Sequence, residues 1–414
     1  MSGGLQGRRI VLGVTGSIAA YKAPLLVREL RRHGAEVRVA VSPSARQFVA
    51  DGALAAFAPV VGEVFPPALP HSWHVEWARW AEVMLIAPCS ATTLGKLAAG
   101  IADTAPTLVA CALPRQTPLV LAPAMDSELW EQPALQRAVD FLRESGAWII
   151  PPAVGELASG TVGVGRLPEL ETLLGTLEGA LTTGVLTSYH RQLWKGRTVL
   201  VTAGPTREWL DAVRYLTNGS TGRMGYALAE SFRDRGARVI LVSGPTELPD
   251  PPGIMLQRVE TAEQMFAAVW HYREHADVIV AAAAVADYTP AEPLAGKRKK
   301  TSEEWTVRLR PTPDILATLG HERRAGQLLV GFALETDAEW GSAWEKLRRK
   351  RLDLLVLNSL RWGRSGFGGT ENTLALLFPD GRIRMMPPRS KRVCAEWIVT
   401  AVGELLRQRD GAGQ

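Results

Sequence analysis

Cysteine is scarce in this chain, which contains only Cys89, Cys111 and Cys394 among its 414 residues. The three form neither a CxxC pair nor the dense framework of a disulfide-stabilised secreted domain. This usage is typical of a reducing compartment, so we expect a cytoplasmic protein.

Long apolar segments are also missing. The purest apolar run, residues 278–286, is far shorter than the roughly 20 residues that a membrane-spanning helix requires, and it predicts a buried strand and its edge. The opening residues MSGGLQGRR lead directly into a strand pattern without an apolar signal core. We therefore expect neither secretion nor a membrane partner.

The common glycine signatures for nucleotides are absent from the first glycine loop. Residues 13–22 read GVTGSIAAYK, which matches neither GxGxxG nor GxxxxGK[ST]. A dinucleotide site or a P-loop therefore has little support here.

The composition that is present is that of a globular protein. Hydrophobic residues make up 46% and charged residues 21%, which permits sizeable cores, and the length favours two domains. The net charge of +5 suits small anionic ligands as well as nucleic acid and does not decide between them.

A strand–helix–strand pattern opens the chain. Residues 9–14 predict a strand, Ser17 caps a helix that reaches about His33, and residues 35–41 predict a second strand. Pro24 either bends this helix or marks its first turn.

The same pattern returns in the second half, with a strand at 197–202, a turn at 203–206, a helix at 224–235 and another strand. We predict an α/β protein with two Rossmann-like parallel-sheet domains in series, whose ligands bind beyond the strand ends. The predicted divisions are a first domain at 1–181, a linker at 182–196, a second domain at 197–405 and a tail at 406–414.

Three loops of the first half follow apolar strands and offer backbone donors to an anion. They span residues 13–22, 42–44 and 87–93. The first places Gly16 and Ser17 at a helix N-terminus, where free N–H groups favour a phosphate. Any one loop alone is more often an ordinary turn.

Together with His74 in HVEWARWAE and PAM at 123–125, these segments make residues 8–170 resemble the homo-oligomeric flavin-containing cysteine decarboxylase family. The resemblance implies a flavodoxin-like, FMN-binding domain in which flavin oxidises the cysteinyl group so that CO₂ can leave. It assigns FMN or substrate contacts to Gly16, Ser17, Ser42, Ser90, Thr92 and Met125, and catalysis to His74.

Two positions differ from that family. Asp126 follows PAM where the family carries asparagine, and an ionised carboxylate there accepts rather than donates hydrogen bonds, unless burial raises its pKa and keeps it neutral. Ser159, in the flap-like loop 157–166, replaces the cysteine expected to return a proton, and a hydroxyl is a weaker acid than a thiol. Either water or another side chain returns the proton in place of the cysteine, or decarboxylation in the flavin half is slow or absent.

The second half resembles the phosphopantothenate–cysteine ligase family over nearly all of residues 197–405. The resemblance rests on an ordered series of segments: 201–230, AAAAVADY at 281–288, KRKK at 297–300, PDIL at 313–316, VGFALET at 330–336, KLRRKRLDLLVLN at 346–358 and the GF near Phe367. Thr312 stands where the family usually has asparagine.

The polar loop 218–222 starts a helix and permits close approach of an anion. The resemblance assigns Asn218 to the acyl-cytidylate intermediate and Lys297 to catalysis. It places nucleotide or substrate contacts at Ser220, Gly222, Ala283, Asp287, Lys297, Phe332, Lys346 and Lys350.

Lys346 and Lys350 are four residues apart, hence on one helical face, where they can meet a triphosphate. Asp287 ends a buried apolar strand, which is costly for a carboxylate without a cation, so Mg²⁺ is its expected partner. The implied co-substrate is CTP, as in fused bacterial relatives, rather than ATP. By charge alone, the lysine run 297–300 is as typical of a solvated face or a nucleic-acid patch.

The leading hypothesis joins 4′-phosphopantothenate to cysteine and then decarboxylates phosphopantothenoylcysteine to 4′-phosphopantetheine, with small molecules and no nucleic acid as partners. A second hypothesis keeps an active ligase beside a flavin half that binds FMN without turnover, and a third is a nicotinamide dehydrogenase. The resemblance also implies a homo-oligomer, with trimers of the flavin half, dimers of the ligase half and a dodecamer when both combine.

Overall fold

The computed structural model describes residues 4–184, 193–302, 304–335, 340–359 and 371–412. The chain divides at residue 191 into two compact units. Within the described ranges, no helix combines the length and apolar character that crossing a bilayer requires.

The first unit is built on a six-stranded parallel sheet in the order β3-β2-β1-β4-β5-β6. Neighbouring strands β1 and β4 are separated in sequence by two other strands, so the chain reverses its direction of winding between them. The strands, with a separate antiparallel hairpin β7–β8, are β1 Arg9–Val14, β2 Glu36–Val41, β3 Val60–Val61, β4 Val83–Cys89, β5 Leu119–Pro123, β6 Trp148–Ile149, β7 Ala153–Glu156 and β8 Val162–Arg166.

Helices cover both faces of this sheet because alternate strand residues point to opposite sides. Ile10 and Leu12 pack with α1 and α8, whereas Val11 packs with α3, α4, α5 and α7. The helices are α1 Ala23–Arg32, α2 Asp51–Ala55, α3 Trp73–Trp80, α4 Ala91–Ala98, α5 Ala105–Cys111, α6 Ser127–Trp130, α7 Pro133–Glu144 and α8 Leu170–Thr183, with 3₁₀ turns at Ile18–Lys22 and Ala45–Gln47.

The second unit repeats the strand order and extends it. Its eight-stranded sheet runs β13-β12-β9-β14-β17-β18-β19-β20, in which the last two strands are antiparallel. The strands are β9 Thr198–Ala203, β12 Arg238–Ser243, β13 Met255–Arg258, β14 Val278–Ala281, β17 Leu328–Glu335, β18 Leu354–Ser359, β19 Glu371–Leu377 and β20 Ile383–Ser390, and two small antiparallel pairs are β10 Arg207–Trp209 with β11 Tyr215–Thr217 and β15 Tyr288–Pro290 with β16 Leu309–Pro311.

Among the described residues, the helices that flank this sheet are α9 Arg223–Asp234, α10 Ala262–Tyr272, α11 Ile315–Glu322, α12 Trp340–Arg349 and α13 Lys391–Ala412, with a 3₁₀ turn at Arg273–His275. Val199 and Val201 of β9 pack with α9 and α13 on one face. Leu200 packs with α10, α11 and α12 on the other.

A buried ion network fixes α9 against α13. The Arg235 guanidinium pairs with the Glu396 carboxylate, and both side chains are almost fully buried. Ser231 donates a hydrogen bond to Glu396 at 2.7 Å, and Arg392 lies 3.1 Å from the same carboxylate oxygen. The network holds the C-terminal end of α9 against the first turns of α13.

The α/β class, the paired Rossmann-like sheets and the first strand–helix–strand unit are confirmed. Of the two alternatives for Pro24, the structure selects the second: Ser17 caps a 3₁₀ turn, and the α-helix proper begins at Ala23 with Pro24 in its first turn.

Three expectations about the second half change. Only residues Val278–Ala281 of the apolar run 278–286 form a strand, because the rest bends into the pocket described below. The predicted linker 182–196 overlaps both units, since α8 reaches Thr183 and Trp194 is buried against Phe232. The predicted tail 406–414 continues α13 to Ala412, with Leu406 in the core.

Replacing Glu396 by glutamine leaves the buried Arg235 cation without its counter-charge. We expect Glu396→Gln to lower the free energy of unfolding of the second unit by about 3 kcal/mol, the usual cost of breaking a buried pair. Urea unfolding followed by tryptophan fluorescence measures this.

The matched control is Glu404→Gln, which removes the partly exposed pair of Arg384 and Glu404. Such a pair contributes less than about 1 kcal/mol. Equal destabilisation by both substitutions would contradict the importance of the buried network.

Candidate active sites

A cavity of about 660 Å³ lies in the first unit, where the carboxyl ends of β1, β4 and β5 meet. Ligands of doubly wound sheets bind at this reversal of strand order. Of the predicted residues, Gly16, Ser17, Ser90, Thr92, Met125 and Asp126 line the cavity. Sequence reasoning did not single out Tyr21, Lys22, Glu156 and Arg166, which line it as well.

Buried Thr15 ties the first and third loops together. Its hydroxyl donates to the Pro88 carbonyl at 2.8 Å and accepts the Ser90 N–H at 2.8 Å. Both hydrogen-bonding roles of the hydroxyl are used, so the two loops hold a fixed spacing across the cavity.

Two helix starts therefore face the same space. Ser17 accepts from the Ala19 N–H at 3.4 Å and Ser90 from the Thr93 N–H at 3.3 Å, while neighbouring N–H groups stay available at the first turns. Gly16 leaves room there, because a Cβ at Gly16 would lie 2.4 Å from Ser44 Oγ. This arrangement fits the phosphate of a flavin nucleotide.

The β7–β8 hairpin closes one side of the cavity. The Met125 N–H donates to the Gly165 carbonyl at 3.0 Å, and the Ser127 hydroxyl donates to the Val164 carbonyl at 3.0 Å. At the hairpin tip, Ser159 Oγ donates to Asp126 Oδ2 at 2.6 Å. The two positions that differ from the decarboxylase family are thus direct partners.

The neighbours of Asp126 favour its charged form. Hydrogen bonds from Glu128 and then from Ser159 hold the pKa of Asp126 below its ordinary value. Of the two alternatives, an ionised carboxylate or a group kept neutral by burial, this direction favours the carboxylate.

Two other predicted residues lie elsewhere. The Ser42 hydroxyl is buried and accepts the Ala45 N–H at 3.2 Å, so it builds the turn and does not line the cavity. His74, in the first turn of α3, is also outside the cavity lining. Its buried Nδ1 has no hydrogen-bond partner among the described residues.

No cysteine takes the place of Ser159. Cys89 pairs in register with Pro123 beside the PAM segment, but its thiol is fully buried and burial raises its pKa. A thiol in that environment is a weaker acid than an exposed one. Cys111 ends α5 and Cys394 belongs to the second unit.

A larger cavity of about 820 Å³ occupies the equivalent edge of the second unit. It brings together Asn218, Ser220, Gly222, Ala283, Asp287, Phe332, Lys346 and Lys350 from the predicted set. Sequence reasoning missed Arg223, Asp314, Arg349, Asn358, Asn372 and Lys391, which also line it.

The segment after β14 is pinned by polar side chains. The Thr202 hydroxyl accepts the Ala283 N–H at 3.1 Å, and the Asn218 amide donates to the carbonyls of Ala284 and Val285 at 3.0 and 3.1 Å. Both N–H groups of the Asn218 amide are used in this way. Asn218 therefore fixes a stretch of backbone that faces the cavity.

Asp287 lies in a different environment from the one expected. It follows the strand by several residues and is exposed, so the desolvation argument for a metal at this carboxylate was wrong. Thr312 holds the adjacent backbone by donating to the Ala286 carbonyl at 2.6 Å. Among the described residues, no cluster of three or more His, Cys, Asp or Glu side chains is placed to hold a metal.

The predicted pair Lys346 and Lys350 does share one helical face, at the end of α12. Lys350 Nζ lies 2.8 Å from Asp314 Oδ1. Burial alone raises the pKa of Asp314, but the hydrogen bonds from Lys350 and the Ala317 N–H, with the charges of Lys350 and Arg349, together outweigh it and the net pKa is lowered. The carboxylate stays charged and orients the lysine at the cavity wall.

Lys297 does not line the cavity and is exposed. Its neighbour Arg298 is anchored elsewhere: the Arg298 N–H donates to buried Asp211 at 3.2 Å, and its guanidinium lies over the Trp305 ring. The backbone at the 297–300 segment is therefore attached to the 210–214 turn.

Comparison with known proteins agrees with both cavities. A flavoprotein family model matches residues 2–182, and the model of the DNA/pantothenate metabolism flavoprotein C-terminal domain matches residues 194–406. The coenzyme A biosynthesis bifunctional protein CoaBC of Bacillus subtilis is 38% identical over 98% of both chains. The chain belongs to the CoaBC family.

Other CoaBC proteins give the same result. That of Vibrio vulnificus is 37% identical over 97% of this chain and 99% of its own, and that of Escherichia coli K12 is 36% identical over 96% and 97%. As a CoaBC protein, the chain acts in coenzyme A biosynthesis as both a decarboxylase and a ligase. Its N-terminal half is a flavoprotein domain.

Solved structures match each half separately. The C-terminal domain of a CoaBC protein is 37% identical, covers 52% of this chain and 98% of its own, and has a TM-score of 0.45. A PPC decarboxylase mutant complexed with pantothenoylaminoethenethiol is 34% identical. The match covers 42% of this chain and 97% of the other chain, with a TM-score of 0.39.

Removing the Thr15 hydroxyl should weaken flavin binding without unfolding the unit. Thr15→Val keeps the side-chain shape but leaves the Ser90 N–H and the Pro88 carbonyl unpaired, a loss of about 1–3 kcal/mol that loosens the two phosphate-binding loops. FMN dissociation constants measured by flavin fluorescence should rise at least several-fold.

Thr176→Val is the control, because Thr176 is a buried threonine of the same unit whose hydroxyl bonds within α8, away from the cavity. An unchanged FMN affinity in Thr15→Val would show that the loop spacing does not depend on this hydroxyl.

Proposed function

We propose that this CoaBC protein joins 4′-phosphopantothenate to cysteine with CTP through an acyl-cytidylate, and then converts phosphopantothenoylcysteine to 4′-phosphopantetheine with FMN. The main support for the proposal is that each of the two units has its own cavity. Each unit has a pocket at the reversal of strand order, and most of the predicted cofactor or nucleotide contacts line it, whereas His74 and Lys297 lie outside.

For the ligase, the main requirement is to hold two anionic substrates with their reacting groups in line. Lys346 and Lys350 support a triphosphate position on the α12 side of the cavity. The pinned backbone at residues 283–285 supports a rigid surface on which the activated carboxyl group and the base can be placed. The choice of CTP over ATP rests on the resemblance to fused bacterial relatives.

Mg²⁺ is the metal that we propose beside the triphosphate. Protein sites for Mg²⁺ commonly supply one or two carboxylates and leave the other positions to phosphates and water. Asp287, exposed on the cavity wall, is suited to that limited role. The metal would neutralise phosphate charge when bound.

For the decarboxylase, FMN supplies the two-electron oxidation that makes CO₂ loss possible. The chain orients the substrate with Met125 and the hairpin, and it must return a proton after CO₂ has left. Ser159 directs its hydroxyl hydrogen to the Asp126 carboxylate, so it is a poor proton donor in this arrangement. We therefore expect the return of the proton to limit turnover.

The same hydrogen bond favours one second candidate, in which the first unit binds FMN without completing the decarboxylation. A coupled assay separates the two. The full chain receives 4′-phosphopantothenate, cysteine and either CTP or ATP, and pyrophosphate, CMP and CO₂ are followed separately. We expect pyrophosphate and CMP with CTP, and more than one CO₂ per flavin. Absence of CO₂ alone would favour the second candidate.

Restoring the family residues should accelerate the flavin half. Ser159→Cys provides a more acidic donor, and Asp126→Asn replaces the charged acceptor at this position by a neutral amide, which accepts more weakly and can also donate. We expect the double variant to regenerate oxidised flavin at least tenfold faster after CO₂ release, a difference of about 1.4 kcal/mol.

Stopped-flow absorbance of the flavin measures this rate. The single variants show whether the two positions act together, and ligase activity provides an internal control because it depends on the other unit. If the rate of flavin reoxidation were unchanged in the double variant, proton return at residue 159 would not be the rate-limiting step.

We further propose that the flavin half is an oligomer in which His74 serves a neighbouring copy. His74 does not line the cavity of its own chain, and its buried Nδ1 has no partner among the described residues. Trimers of this half and dimers of the ligase half, combined as a dodecamer, would complete both sites. A cytoplasmic location agrees with the free cysteines.

Complementation tests the sharing of sites. Gly16→Val blocks the flavin cavity and His74→Asn removes the imidazole, so each variant alone should lack decarboxylase activity. Co-expressed copies should recover a part of it, because mixed oligomers contain intact sites. No recovery in the co-expressed mixture, with both variants still oligomeric, would place His74 at its own cavity or outside the reaction.

A further inference from the structure

The lysine run of the second unit belongs to the connection between β15 and β16. Tyr288 of β15 is paired in register with Pro311 of β16, and both residues line the ligase cavity. The connection, residues 291–308, therefore leaves from the cavity wall and returns to it. Within it, Lys297 is exposed, whereas the next residue, Arg298, is half-buried.

The stretch that contains Lys297 is anchored on both sides. Before it, the Leu294 N–H donates to the Leu210 carbonyl at 3.0 Å. After it, the Arg298 N–H donates to the Asp211 carboxylate at 3.2 Å. The two acceptors are consecutive residues, so only a short loop of backbone lies between the two fixed points. The backbone of Lys297 can therefore move little while both anchors hold.

Asp211 provides an acceptor for both sides of this junction. Its side chain is buried, and the oxygen that does not bind Arg298 accepts the N–H groups of Val213 and Arg214, each at 2.8 Å. Burial acts to raise the pKa of Asp211, but the three backbone hydrogen bonds and the charge of Arg214 outweigh it and the net pKa is lowered. Both oxygens of a carboxylate accept hydrogen bonds, whereas an amide offers only one acceptor.

Arg214 adds a second connection between the same two segments. Its guanidinium donates to the Arg298 carbonyl at 2.9 Å. The guanidinium groups of Arg214 and Arg298 also lie over the Trp305 ring, at 5.6 and 4.8 Å from its centre. Because an indole face attracts cations, these contacts hold the far side of the connection against the 210–214 turn.

The 210–214 turn leads directly to a cavity residue. After Arg214 the chain forms β11 and then reaches Asn218, whose amide holds the backbone at residues 284–285. Asp211 itself lies outside the cavity lining. It nevertheless joins the strand that presents Asn218 to the connection that carries Lys297.

We propose that Asp211 is a positioning residue of the ligase, which holds the backbone of Lys297 at a fixed place beside the strand leading to Asn218. This inference rests on the proposed ligase function and names the group through which an exposed lysine serves the cavity. The flexible lysine stem then brings the ammonium group to the bound anions. A fixed backbone leaves only side-chain freedom to be lost in that step, which favours reaction.

Asp211→Asn is nearly isosteric and tests the proposal in the full chain. The single acceptor oxygen of the amide cannot serve both the turn and the Arg298 N–H, so one anchor is lost. We expect the maximal rate of CMP formation from CTP, 4′-phosphopantothenate and cysteine to fall about tenfold, which corresponds to about 1.4 kcal/mol. The KM for CTP should stay within about twofold, because the residues that line the cavity are unchanged.

Hydrogen exchange measures the anchor without relying on activity. In Asp211→Asn, the amides of residues 211–214 and of Arg298 should exchange at least several-fold faster than in the wild type, because their acceptor is weakened. Lys297→Met removes only the ammonium group. It should therefore slow CMP formation and leave the exchange of both segments unchanged.

Asp380→Asn is the matched control. Asp380 likewise accepts a backbone N–H from its own turn and pairs with an arginine, Arg382, but it lies between β19 and β20. This variant should leave both CMP formation and the exchange of residues 291–308 unchanged. Thermal unfolding checks that Asp211→Asn folds. If it does not, Trp305→Leu removes the ring that both guanidinium groups contact, and it should show the same pattern with a smaller fall in rate.

Two outcomes overturn the inference while leaving the ligase intact. One is an unchanged rate of CMP formation in Asp211→Asn although Lys297→Met is slow. The other is a rise in the KM for CTP as large as the fall in rate, which would mean that Asp211 supports the cavity as a whole. If the wild-type chain makes no CMP, or if Lys297→Met is as fast as the wild type, the ligase proposal or its use of Lys297 fails instead.

Discussion

The constraint on which both sites depend is parallel pairing between strands that are distant in sequence. In each unit the first strand pairs with the second on one side and with the fourth on the other, so the loops that follow the central strands diverge to opposite faces. The crevice at that point follows from the strand order and does not require particular residues in the loops. Buried hydroxyls at Thr15 and Thr202 then hold the crevice at a fixed width.

Sequence alone supplied most of this framework because the strands are buried on both faces and are marked by continuous apolar runs. The residues that follow them, such as Gly16 and Ser90, could be placed at the strand ends for the same reason, and Asn218 was placed in the loop that begins a helix. Lys346 and Lys350 were placed on one face by helical spacing. These predictions use local periodicity, which the tertiary structure did not override.

Other features depend on contacts between distant segments and had no local signal. In the sequence, Lys391 resembles an ordinary surface residue, although α13 places it in the cavity lining, and Asn372 is one polar residue in an otherwise apolar strand. Asp287 shows the opposite error, since an apolar run suggested burial where the chain in fact leaves the sheet. The Asp126–Ser159 partnership joins two positions that sequence reasoning considered one at a time.

The extent of α13 also bears on how the ligase half is isolated. Beyond residue 405, Arg409 pairs with Asp353, and Asp353 in turn accepts the Leu329 N–H at 2.8 Å at the start of a central strand. A fragment that ends at residue 405 would lose this anchor, and α13, whose first residue lines the ligase cavity, would be held less firmly. Fragment boundaries for crystallisation or inhibitor screening are therefore better set after residue 412 than at 405.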